Sequence, residues 1–246
     1  MGAPQLDNEN SDNKAALLCY QQFTLHFDAA TKTPLWASYV LDTDDWWNKP
    51  VSTPAAWQPD PNILKVSKPT AVYPQQYAHS GLLPVPLAPP ADFAFSAQAV
   101  QQSLWTTNAV PQNPAAVQTW QRLNQAVRGL LGKKQQNARL ERLYVVSGVV
   151  YKPIKGVKPP KNGEPRYYTF NGIQTPTYFY KAVLHPKSGR SIAFLIPNTA
   201  DAANMDLKAK GVAMTIQQLE RETRMVFFPN INEPKAKMNT ALLEWL

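Results

Sequence analysis

The stretch Trp105–Arg128, WTTNAVPQNPAAVQTWQRLNQAVR, turns from loop to helix at a single dipeptide. Asn113-Pro114 carries both signals that open a helix. The Asn side chain can accept from an orphan backbone N–H, and a proline loses nothing in the first turn, where its missing N–H has no partner anyway. Beyond it Val117, Trp120, Leu123, Val127 and Leu130 recur at helical spacing, which predicts one buried face, and Gly132 supplies a stop. Upstream, Ser96 opens another helix that runs through AQAVQQSLW to about Trp105.

Around these helices the chain reads as strands. QFTLHFDAATKTPLWASYVLD alternates at Phe23, Leu25 and Phe27, turns at AATKTP and resumes as an apolar run, the pattern of an antiparallel hairpin. From Thr43 to Pro90 the sequence is loop-like, and nearly half of the 23 prolines lie there beside Trp46, Trp47 and Trp57, which points to irregular but packed structure. Downstream, RLYVVSGVVYK, PTYFYKAVLH and RSIAFLIPN read as strands, with a Lys/Pro/Gly loop from Pro153 to Pro165 after the first. Thr215 and Gln218 form a capping box before TIQQLERET, and a short strand MVFFP follows. With no internal repeat and no strict alternation of strand and helix, the expectation is one α+β domain over residues 15–246, behind a polar, flexible tail at 1–14.

Composition narrows the class. At 246 residues with 44% apolar side chains the chain can bury a substantial core. No apolar run reaches the ~18–20 residues that span a bilayer, so the chain reads as soluble, and MGAPQLDNENSDNK has no apolar h-region of a signal peptide. One cysteine excludes an intrachain disulfide, and three histidines with one cysteine argue against structural zinc. The net charge of +8 is unevenly spread. Residues 1–119 hold 5 Lys, no Arg and 9 acids; residues 120–190 hold 14 Lys and Arg against Glu141 and Glu164 only. A basic block of that kind suits a polyanion, or else simply a solvated face.

Trp105–Arg128 resembles the DNA/RNA non-specific endonucleases, whose ββα-metal core reads TN..PQ followed by a helix with W..LE...R. Other stretches are similar to the family's landmarks in the same order. CYQQFTLHFDAATKTPLWASYVL resembles the entry hairpin, LYVVSGVVY the VVTGP.Y strand and PTYFYKAVL the P..FYKVV strand. AFLIPN and IQQLERETRMVFFP resemble the last strand and helix, so the likeness runs from about Leu18 to Phe228. It implies a single-domain ββα-metal (His-Me finger) nuclease-like fold, with a central antiparallel sheet and flanking helices.

The resemblance also shows where the chain departs from the family. Members carry G-[YF]-D-R-G-H-L-A-P; here Gly81 and Leu87-Ala88-Pro89 keep the frame, but Leu83-Pro84-Val85-Pro86 stands in place of DRGH. The family's histidine is a general base, and Pro86 has no lone pair to take a proton. The family's Mg²⁺ is held by an Asn four residues before the helix Trp, a place that falls on Ala116 with Val117 next to it. Asn124 replaces the acid of W..LE. The usual arginine has no counterpart near STPAAWQPD, and no Arg precedes Arg122. What the resemblance leaves in the cleft is Asn108, Gln112, Trp120, Asn124 and Arg128. Asn108 and Gln112 are expected to hold backbone, and Arg128, one turn past Asn124, to meet a phosphate.

Nothing else in the sequence restores the reaction. His79 lies near the altered motif but reads as an ordinary loop histidine; His26 and His185 are expected at the surface. Asp60 and Asp92 read as caps of loops or helix starts, and Cys19 as a small packed residue. The expectation is therefore no catalytic residue and no cofactor, with Mg²⁺ required only if a rearranged site is active. Nucleic acid would be bound weakly and without sequence preference by Arg128, Lys133, Lys134, Arg139, Lys155, Lys158 and Lys161, or a protein partner would be bound instead. Tyr167, Tyr168 and Tyr178 could stack on bases, although strand core is the simpler reading of Tyr178. An active sugar-nonspecific nuclease and an assembly protein on a nuclease fold are the rival readings. The resemblance implies export or a periplasmic location, though no export signal is written in the chain.

Overall fold

The computed structural model describes residues 3–6, 15–46, 56–66, 70–132, 134–135, 138–151 and 169–230. Strand β1 (Gln5–Leu6) is followed by β2 (Ala15–Cys19), β3 (Phe23–Asp28) and β4 (Thr33–Asp42). The predicted hairpin is β3–β4, with Phe23, Leu25 and Phe27 buried and Thr24 and His26 half-buried, as strict alternation requires. β2 adds to its outer edge. Cys19 there is exposed rather than packed, on the outermost strand of the sheet.

Two short helices follow, α1 (Thr43–Trp46) and α2 (Pro61–Val66), the second capped by Asp60, whose Oδ1 accepts from Asn62 N at 2.8 Å. Then the proline-rich stretch read as loop forms a strand. β5 (Leu83–Pro86) pairs antiparallel with β6 (Ala109–Gln112), across α3 (Ala97–Ser103). Pro84, Pro86 and Pro111 fall at alternate register positions, so the N–H groups of Leu83, Val85, Val110 and Gln112 are the ones that can bridge the strands. An isolated two-stranded ribbon tolerates proline where a central strand does not.

α4 (Pro114–Arg128) starts as its sequence says: Asn113 Oδ1 accepts from Ala115 N at 3.0 Å, with Pro114 at the first helical position. It ends at Arg128, four residues before Gly132, and the chain leaves through turns to Gly132 at φ 75°. A small ribbon of β7 (Lys134–Gln135) and β8 (Ala138–Arg139) leads to β9 (Arg142–Val150). β10 (Thr169–Phe170) and β11 (Ile173–Gln174) pair before β12 (Tyr178–His185) and β13 (Arg190–Pro197). β14 (Ala213–Met214), α5 (Ile216–Thr223) and β15 (Met225–Val226) complete the described chain. Thr215 and Gln218 cap α5 reciprocally, as predicted. Gln5–Leu6, read as part of a flexible tail, pairs with Met225–Val226.

Seven strands form one antiparallel sheet in the order β14-β13-β12-β9-β4-β3-β2. Both faces are covered, which explains why every residue of β12 is buried although antiparallel sheets commonly leave one face to water. On one face Leu25, Tyr39, Val145, Phe179 and Phe194 meet Trp120, Leu123 and Val127 of α4. On the other Trp36, Tyr180 and Leu195 meet Ile216, Leu219 and Phe227. Tyr178 is core, as its simpler reading held. Each fully buried large apolar side chain contributes roughly 1.5–3 kcal/mol. His185, expected at the surface, is buried, because the β12–β13 turn folds Ser188 onto it, with Nδ1 and Oγ 2.7 Å apart. Burial, then Lys187 and Arg190, lowers its pKa. Among the described residues no helix is long and apolar enough to cross a membrane.

Gly148 is required by this sandwich. It pairs with Tyr180, and a Cβ on it would lie 2.2 Å from the Tyr180 ring and 2.6 Å from the Leu35 carbonyl oxygen. Gly148→Ala is expected to cost about 1–3 kcal/mol by overpacking, read as a lower urea midpoint at unchanged slope.

Candidate nucleic-acid cleft

Strand β5 and helix α4 flank an open cavity of about 730 Å³. One wall is Leu83, Pro84, Val85 and Pro86, continued by Pro89, Pro90 and Trp57. The other is a face of α4 that presents Val117, Trp120, Asn124 and Arg128, with Gln121 and Gln125 at its margin. Leu83–Pro86 therefore does face the helix, and the sequence-expected Trp120, Asn124 and Arg128 are brought together there.

Asn108 does not line the cavity; it builds the wall. Its Nδ2 donates to the carbonyls of Ala88 (2.9 Å) and Ser103 (2.8 Å), and its Oδ1 accepts from Ala88 N at 3.0 Å. It thus clamps both backbone groups of Ala88, as its expected role of holding backbone requires. Gln112 is also fully buried, yet neither of its side-chain polar atoms has a protein partner. Trp120 Nε1 and Asn124 Oδ1 are buried and unpartnered as well.

Arg128 makes a contact its sequence reading did not foresee. It is ion-paired to buried Asp92 at 2.5 Å, the role that the loop-cap reading of Asp92 missed. Behind them lies a residue that sequence reasoning overlooked altogether. Lys181, fully buried in β12, donates to Ser147 Oγ at 2.5 Å and Tyr39 Oη at 3.1 Å, and its Nζ sits 5.0 Å from the centre of the Trp120 ring. The signal was present: one lysine in the apolar run YFYKAVLH, at the α4-facing parity of Phe179 and Val183. Burial drives its pKa from the ordinary 10.5 down to about 7, Asp92 opposing that shift and Arg128 adding to it. Burial, then Asp92, holds the Tyr39 hydroxyl above its ordinary range.

The remaining expected groups lie elsewhere. His79 is exposed, at φ 60°, and does not line the cavity. His26 is half-buried against Trp36. Asp60 is committed to Tyr20, Thr107 and the start of α2. Lys133, Lys155, Lys158, Lys161, Tyr167 and Tyr168 lie outside the described residues, and Lys134 and Arg139 are described only as paired backbone. The cleft's donors do not suit Mg²⁺, which wants several hard oxygen ligands and carboxylate charge. Here the lining supplies amide oxygens and a cation, Ala116 offers no oxygen, and among the described residues no three His, Cys, Asp or Glu side chains converge on a metal position.

The lysine predicts a pH dependence. Folded Lys181 releases its proton at about 7 and the unfolded side chain at 10.5, so between these values the unfolded chain holds more protons and stability rises with pH. The buried tyrosines oppose this only above their ordinary value of about 10. Urea midpoints are expected to rise between pH 7 and pH 9, and Lys181→Met to flatten that rise.

Comparison with known proteins agrees with the fold. The profile of the family described as DNA/RNA non-specific endonuclease matches residues 4–233. The mitochondrial nuclease EXOG of Xenopus laevis is 26% identical over 222 residues, covering 88% of this chain and 59% of that protein. Human mitochondrial EXOG is 25% identical over 224 residues, covering 87% and 57%. The chain thus spans about three fifths of the length of the curated relatives it matches. A crystal structure of the EndoG/EndoGI complex superposes with a TM-score of 0.67 at 17% identity, over 88% of this chain and 86% of that one. With a seven-stranded antiparallel sheet, a cleft under α4 and a family match over nearly its whole length, the chain belongs to the DNA/RNA non-specific endonuclease family.

Proposed function

We propose that this chain is a family member that no longer hydrolyses phosphodiesters and works by binding, either nucleic acid or a protein partner. The observation that carries the reading is the lining of the cleft. Hydrolysis needs a base to take a proton from water and a metal or cation array to hold the phosphate charge. Among the described residues the lining includes no His, Asp or Glu, and Pro84 and Pro86 occupy the wall where a base would have to reach α4. Arg128, the one cation among the described lining residues, is already paired to Asp92. The rival reading of an active nuclease draws on the relatives' names, and digestion separates the two. Plasmid DNA and total RNA incubated with the protein in Mg²⁺ or Mn²⁺ are expected to remain intact. The loss of a general base alone costs about 10²–10⁴ in rate. Metal-dependent cleavage abolished by His79→Ala would establish the active reading.

For nucleic acid, the support is the block of basic residues from 120 to 190, above all the recurrence of Lys155, Lys158 and Lys161 in KPIKGVKPPK. Phosphate contacts release counterions and need no catalytic residue. Affinity is expected to fall by about one logarithmic unit per unit of log salt for each contact, and equally for all sequences. Replacing the three lysines with Ala is expected to flatten the slope measured by fluorescence anisotropy. Binding insensitive to salt would favour the protein-partner arm.

A further inference from the structure

The seven-stranded sheet ends in two unlike edges. One is β14, only two residues long, and short edge strands are a common way to keep a sheet from pairing with other chains. The other is β2, AALLC, which has none of the usual guards: no charge, no proline, no glycine and no register shift against β3. Among the described residues nothing pairs with its outer side. On one face of β2 Leu17, 56% exposed, is the most exposed large apolar side chain among the described residues, with exposed Cys19 beside it. On the other face Ala16 and Leu18 are half-buried.

The hydrogen bonds fix which backbone groups this edge offers. Tyr20 N donates to Phe23 O at 2.8 Å across the β2–β3 turn, so the Tyr20 backbone faces β3. Inward and outward residues alternate along an antiparallel strand. The N–H and C=O of Leu18 and Ala16 therefore also point to β3, and those of Ala15, Leu17 and Cys19 point away from the sheet. Three outward residues spaced by two and centred on Leu17 form a set complementary to itself. We propose that β2 joins a second copy of this chain, antiparallel, about a two-fold axis at Leu17. Leu17 pairs with the partner's Leu17, and Ala15 with the partner's Cys19, so every outward group on both strands is used. The other antiparallel registers that oppose outward groups leave at least one such residue on each strand unpaired. Because β2 is uncharged, no like charges within it meet across the axis. An axis normal to the sheet keeps each face with its counterpart. Leu17 then packs on the partner's Leu17, and the α4 helices of both copies lie on one side of a continuous sheet. The contact is small, which fits a weak, reversible dimer, and it does not depend on whether the cleft hydrolyses phosphodiesters.

Sedimentation velocity of the full chain, from low to high micromolar concentration, is expected to show a reversible monomer–dimer equilibrium. Leu17→Lys sets two charges against each other at an exposed position. It is expected to leave only monomer, with an unchanged melting temperature. Oxidation with copper phenanthroline reads the register. In Leu17→Cys on a Cys19→Ser background the paired Cα atoms lie about 5.5 Å apart, within disulfide range, and a covalent dimer is expected. In the native chain Cys19 and the partner's Cys19 stand four residues apart along the strands, about 14 Å, and no disulfide is expected. Monomer at every concentration, or a dimer that survives Leu17→Lys, would overturn the proposal. So would a disulfide through native Cys19, or a dimer in which Leu17→Cys fails to crosslink.

Discussion

The side chain of Asn108 is the constraint on which the cleft depends. An amide has one acceptor and two donor hydrogens, and here they hold both backbone groups of Ala88 and the last carbonyl of α3. Because the side chain is wholly buried, each of these bonds is formed away from competing water. The clamp sets the angle at which Leu83–Pro86 meets Ala109–Gln112, and so the width of the space under α4. Asn198 does similar work on the far side. Its Nδ2 donates to Pro111 and Pro176 carbonyls and its Oδ1 accepts from Asn113 N at 2.7 Å, tying the start of α4 to the end of β13. A wall held this way takes its shape from buried amide bonds to backbone rather than from the side chains it displays towards α4.

The same logic applies to the buried charges beneath α4. Lys181, Asp92 and Arg128 share an interior in which isolated charges are unfavourable, and three hydroxyl or ring neighbours of Lys181 (Ser147, Tyr39, Trp120) stabilise its ammonium. A buried ionic group of this kind is weak evidence for stability, since apolar replacements often do as well. Its consequence for the cleft is electrostatic. Arg128 and Asp92 neutralise each other, and burial lowers the Lys181 pKa to about 7, so the ammonium is only partly protonated near neutral pH.

Much of the fold was legible in the sequence because its signals are local. The caps at Asn113 and Thr215 operate within one turn of helix, and the alternation at Phe23, Leu25 and Phe27 reports a period of two that any strand must obey. The end of α4 was misplaced because Gly132 is a permissible stop rather than an obligatory one, and the chain turns away four residues earlier. The strand at Leu83–Pro86 was misread as loop because proline density speaks against a ladder unless the partner strand places its own proline in register, as Pro111 does.

By itself the sequence determined the helix starts set by caps and the long strands β3, β4, β9, β12 and β13, because each depends on neighbours within a few positions. That Leu83–Pro86, Trp120, Asn124 and Arg128 would enclose one cavity followed from the family's landmarks rather than from any local rule. Only the tertiary structure decided the partners. Arg128 finds Asp92 across 36 positions, Lys181 finds Tyr39 across 142, and His185 is buried by a turn that no periodicity reports. Such pairs are chosen by which faces the sheet and helix bring together, and the energy of a buried charge or amide depends on that enclosure rather than on the residues beside it in the chain.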